Sequence, residues 1–170
     1  MSKKKIQPKI LIIDDEKPIT MLLSALLKNS YRLEIVHNSH DAIVKVYEFQ
    51  PDLITSDINM PGLEGDDLLS IIRAWKPHIP ILMISGSKDD GIQEKCLENG
   101  AVGFIPKPFE SKHVLQQIGK ALDGEVQPPE LTEGILDEVE LALGILERQG
   151  LINEDQAKEE INRVKSMLKK

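Results

Sequence analysis

The chain has 170 residues and a formal net charge of −7, from 28 acidic and 21 basic side chains. That length suits one ordinary domain with an appendage and is too short for two full domains. The acidic balance disfavours general binding to a phosphate backbone, an aromatic content of 4% offers little for base stacking, and an apolar content of 41% argues against wholesale disorder.

A single cysteine, Cys96, excludes an internal disulfide and a multi-cysteine zinc site. The start, Met1-Ser2-Lys3-Lys4-Lys5, is basic, but the apolar run at residues 10–13 is too short for a signal peptide and ends in acids. No stretch approaches the ~18 apolar residues of a membrane span. The expectation is a soluble, cytoplasmic protein with no membrane contact.

In chain order, apolar runs rich in β-branched residues fall at 9–13, 32–36, 52–56, 79–84 and 101–105. Stretches with helical spacing lie between and after them. Ile19, Leu22, Leu23, Leu26 and Leu27 share one face, and Ala42, Ile43, Val46 and Tyr47 a second. Leu68, Leu69, Ile72 and Trp75 form a third; Ile92, Cys96 and Leu97 a fourth; Val114, Leu115, Ile118, Ala121 and Leu122 a fifth. Pro18 suits a first helical turn, Ser87 with Asp90 resembles a capping box, and Gly100 suits a helix end. Strands alternating with such helices imply parallel pairing through right-handed crossovers. Runs without alternation read as strands covered on both faces, whereas the alternating 32–36 run reads as an edge strand. The predicted fold is a small α/β domain with a doubly wound five-stranded parallel sheet.

In such sheets the site lies beyond the carboxyl ends of the strands. Those ends carry Asp14-Asp15-Glu16, Asp57, Ser85-Gly86-Ser87 and Lys107-Pro108. Clustered carboxylates repel unless a cation sits among them, and hard oxygen ligands favour Mg2+ over zinc. Asp57 could serve as ligand, base or nucleophile. As a nucleophile on phosphorus it would form an acyl phosphate, with metal, Lys107 and Ser85 around the phosphoryl oxygens.

The ordered set Asp14-Asp15, Asp57-Ile58-Asn59-Met60-Pro61 with Gly65, Ser85-Gly86 and Lys107-Pro108 resembles the receiver domain of two-component response regulators, the CheY-like, flavodoxin-like fold, over residues 8–122. The resemblance implies that Asp57 is the phosphoacceptor. It makes Asp15 a direct Mg2+ ligand and Asp14 one acting largely through water, with the Asn59 backbone carbonyl completing the protein's share. Ser85 becomes the switch hydroxyl and Lys107 the partner of a phosphoryl oxygen, with a cis bond to Pro108. Phe104 matches the aromatic switch position, Gly86 a position where bulk would obstruct the donor, and Asn59 and Ser87 positions that set the lifetime of the acyl phosphate. The donor would be a histidine kinase or a histidine phosphotransfer protein. Such a chain is a signalling switch rather than an enzyme, catalysing only its own phosphorylation and dephosphorylation. Two other readings stand beside this one. A haloacid dehalogenase-type phosphohydrolase would want a second acid where Asn59 stands, and a never-phosphorylated scaffold would have no need of the full residue set.

Residues 123–130 have the composition of a linker, and 131–170 read as a helical hairpin. Leu131, Ile135, Val139, Ala142 and Leu146 form one stripe, and Ala157, Ile161, Val164 and Leu168 another, with Asn153 and Gln156 as a cap between them. The tail from Gly124 has eleven acids against six bases, so a DNA-binding output is not expected of it. Residues 146–168 resemble short SHOCT-type oligomerisation modules. The stripe is open to three partners: the chain's own receiver domain, a second copy, or another protein target.

Overall fold

The computed structural model describes residues 6–60, 65–87, 90–124 and 136–169. Pro61, residues 125–130, Leu131, Ile135 and the side chain of Asp90 lie outside them, and with these the Ser87–Asp90 cap and most of the linker.

Five strands and five helices alternate: β1 (Lys9–Ile13), α1 (Lys17–Leu27), β2 (Arg32–Val36), α2 (Ser39–Phe49), β3 (Leu53–Ser56), α3 (Gly65–Trp75), β4 (Ile81–Ser85), α4 (Asp90–Glu98), β5 (Gly103–Pro106) and α5 (Ser111–Leu122). The sheet is wholly parallel in the order β2-β1-β3-β4-β5, so β2 is the edge strand its alternation predicts. β3, β4 and β5 begin one to two residues later than the apolar runs suggest. Ile79, Ala101 and Val102 are buried without being strand, so hydrophobicity marks the core there rather than the ladder.

The sheet separates two apolar layers. One joins α1 and α5 through Leu23, Leu27, Val114 and Ile118 against Ile10, Ile12 and Leu82. The other joins α2, α3 and α4 against Leu11, Ile54 and Met83. The helix faces predicted above are largely the buried ones, but Leu22, Leu97 and Leu115 point to solvent at the margins of their stripes. Gly100 ends α4 with φ of +104°, where a β-carbon would lie 2.5 Å from the Arg73 Nε, so glycine both turns the chain and clears room for that buried arginine. Pro18 occupies the first turn of α1.

α6 (Leu136–Arg148) and α7 (Glu154–Met167) follow, and the Asn153–Gln156 capping box forms as its sequence predicts. The hairpin packs on its own domain. Val139, Ala142, Leu143, Leu146, Ala157 and Val164 are buried in the same apolar layer as Ile71, Ile72 and Trp75 of α3. Trp75 stacks on Tyr47 of α2 with ring centroids 6.4 Å apart, and Arg163 of α7 donates to the Trp75 carbonyl at 3.1 Å. Gln149, in the turn between the two helices, bonds His40 in the first turn of α2.

Candidate phosphoacceptor and metal site

β1 and β3 are adjacent in the sheet, yet β1 leads into α1 on one face and β3 into the α3 side on the other. The crevice between their ends is the topological switch point of the fold. Asp14 and Asp57 sit there. The Asp14 N–H donates to the Val36 carbonyl at 3.1 Å and the Asp57 N–H to the Ile13 carbonyl at 2.9 Å, so both residues extend the ladder by one step. His37 donates from Nδ1 to the Asp14 carbonyl at 2.8 Å.

The carboxylates are fixed by backbone donors. Asp57 Oδ1 accepts from the Ile58 N–H at 2.7 Å and from the Asn59 N–H at 3.4 Å, which leaves Oδ2 for the crevice. Asp14 Oδ1 accepts from the Glu16 N–H at 2.8 Å. Lys107, one residue beyond β5, reaches across: its Nζ lies 2.8 Å from Asp14 Oδ2, 2.8 Å from Glu16 Oε1 and 3.3 Å from Asp57 Oδ2. The Lys107 N–H donates to the Ser85 carbonyl, and the Lys107–Pro108 bond is cis. Ser85 is fully buried, its Oγ accepting from the Ser87 N–H at 3.3 Å. A β-carbon at Gly86 would meet Lys107 at 3.7 Å, an ordinary contact. Phe104 is half-buried beside Met83 of β4.

Burial raises the Asp14 carboxyl above its ordinary range, against the pull of Lys107 and the Glu16 N–H. Burial also works against the Lys107 ammonium, but its bonds to Asp14 and Glu16 and the charge of Asp57 outweigh this and hold it above the usual lysine range. Lys107 is therefore a fixed cation, unable to act as a base near neutral pH.

The structure brings Asp14, Asp57 and Lys107 together, as their strand-end positions predict, with Ser85 at the end of the neighbouring strand. Asp15 is exposed and outside the cluster. Among the described residues, the carboxylates with oxygens within 4.8 Å of one another are Asp14, Glu16 and Asp57. Glu16 was visible in the sequence only as the third acid of a run. Its role depends on a side-chain turn: it stands at the N-cap of α1 without capping it and bonds Lys107 instead. Asn59 is exposed beside Asp57.

Three carboxylates against one ammonium leave two uncompensated negative charges. The donors are all hard oxygens, and this set fits a hard divalent cation such as Mg2+.

The chain matches the response regulator receiver domain model over residues 10–119. It belongs to the receiver family. It is 31% identical over 134 residues to the transcriptional regulatory protein LnrK of Bacillus subtilis, covering 76% of this chain and 61% of that protein. This chain thus spans less than two thirds of that relative. Among solved structures it resembles a CheY-like receiver domain protein from Methanospirillum hungatei (27% identity, TM-score 0.66, covering 69% of this chain and 94% of that one). It also resembles the response regulator domain of Thermotoga maritima CheB (28%, TM-score 0.62, covering 69% and 97%). Both likenesses cover about two thirds of this chain and nearly the whole of the other, as expected for a receiver carrying additional C-terminal helices. No described helix is long and apolar enough to cross a membrane.

Proposed function

We propose that this receiver is a phosphorylation switch in which Asp57 takes a phosphoryl group from a phosphohistidine of a kinase or phosphotransfer protein in the cytoplasm. The observation that carries the reading is the buried Asp57 carboxylate, pinned at Oδ1 and presented at Oδ2 to Lys107. The Asp57 oxygen attacks phosphorus, the P–N bond breaks, and the imidazole leaves with its electron pair and takes a proton. Asp14 and Asp57, with the Asn59 carbonyl and Asp15 as the family resemblance implies, would hold Mg2+, which when bound supplies charge neutralisation at the phosphoryl oxygens. Lys107 supplies a fixed positive charge, and the Ser85 hydroxyl a movable hydrogen bond. The only chemistry asked of the chain is making and losing its own acyl phosphate.

Output runs through protein contacts made by the receiver surface. The tail is acidic and the described part of its apolar stripe is already packed in the layer of α2 and α3, which supports a constitutive structural layer rather than a DNA reader or an oligomerisation arm. Magnitudes favour the same view. Six large hairpin side chains (Val139, Leu143, Ile145, Leu146, Ile152 and Val164) are buried. At roughly 1.5–3 kcal/mol each, and taking about half of that burial as internal to the hairpin, undocking would cost about 4–9 kcal/mol. A switching ligand typically contributes only about 1–3 kcal/mol of differential stabilisation.

The test is intact mass after incubation with acetyl phosphate and Mg2+. Wild type should gain one labile phosphoryl group and Asp57→Asn none. Wild type with unchanged mass, under conditions that label another receiver, would favour the scaffold reading; turnover of many phosphate esters would favour a hydrolase.

A further inference from the structure

Lys107 has three carboxylate partners, and they are not equivalent. The side chains of Asp14 and Asp57 are 3% and 4% exposed, whereas that of Glu16 is 56% exposed. Glu16 is nonetheless as close to the ammonium as Asp14, and it belongs to the compact acid cluster. Its backbone N–H simultaneously fixes the Asp14 carboxylate. An exposed acid that leaves its own helix cap unmade to hold a buried lysine is the partner that can be exchanged at least cost, because water replaces the lysine as it turns away.

We propose that Glu16 is a positioning residue of the phosphoacceptor site. It parks Lys107 over the crevice in the resting state, contributes negative charge toward the divalent cation, and competes with the phosphoryl oxygens for the same ammonium. The proposal rests on the switch reading above and deepens it. Its two effects have opposite signs. The carboxylate charge favours cation binding, while the Lys107–Glu16 contact opposes occupancy by a phosphoryl group. A side chain that merely supported the fold would weaken both together.

Calorimetry of the full chain with Mg2+ alone, and then with beryllofluoride at saturating Mg2+, separates the two. Glu16→Gln removes the charge at nearly constant shape. It should bind Mg2+ about threefold more weakly and beryllofluoride about two- to fivefold more tightly. Glu16→Asp keeps the charge but is one methylene too short for Lys107. It should match wild type for Mg2+ and follow Glu16→Gln for beryllofluoride. Shifts of one sign in both titrations, or a Glu16→Gln variant equal to wild type in both, would overturn the role of Glu16 while leaving the switch intact. Failure of wild type itself to bind either Mg2+ or beryllofluoride would instead overturn the receiver reading on which the proposal stands.

Discussion

At the carboxyl edge of the sheet, Asp14, Glu16 and Asp57 are gathered around one ammonium with two negative charges to spare. Across α3, the layer shared with α6 and α7 is apolar. There Trp75, Ala142, Leu146 and Val164 are almost fully buried. The first region gathers like charges that a cation would relieve and, on the proposed function, a phosphoryl group would rearrange. The second would expose apolar side chains on opening. On the proposed reading, one chain carries a switchable edge and a face that stays shut.

Charging the hairpin face should have the largest effect. Leu146→Asp buries a carboxylate against α3 and should cost about 4 kcal/mol, read as a lowered urea midpoint with a red shift of the single tryptophan. The likeness to the two solved receiver structures above covers 69% of this chain and nearly the whole of theirs. Acetyl phosphate should therefore still label Asp57 in the variant, and loss of labelling in a folded protein would show that the two regions are not separate.

A smaller effect is expected at the edge. Lys107→Ala leaves three carboxylates without their ammonium and should destabilise the protein by about 2 kcal/mol in chelator. Because the penalty is one of uncompensated charge, millimolar Mg2+ should restore most of the melting temperature. A deficit of equal size with and without Mg2+ would mean that Lys107 acts through packing.

The same contrast explains what the sequence made legible. A strand end is a one-dimensional landmark, so Asp14, Asp57, Ser85 and Lys107 could be placed on one edge from the alternation of apolar runs alone. Which of three consecutive acids turns inward is a matter of side-chain direction at the start of α1. The run Asp14-Asp15-Glu16 reads identically whether its second or third member meets Lys107. The hairpin shows the same limit: its stripes at 139–146 and 157–164 identify a face to be buried, but spacing carries no address for the partner. That partner is the end of α3, where Trp75 stacks on Tyr47 and its carbonyl accepts from Arg163. Leu22, Leu97 and Leu115 fit helical periodicity yet are exposed, because each stripe is wider than the sheet beneath it.

Amide hydrogen exchange of the full chain, with and without Mg2+ and beryllofluoride, tests the division most directly. Exchange should change in the turns after β1 and β3 and at the ends of β4 and β5, with the amides of α6 and α7 and the last turn of α3 unchanged. Faster exchange throughout α6 and α7 on adding beryllofluoride would contradict it, because the hairpin would then be a released arm and the apolar face a part of the switch.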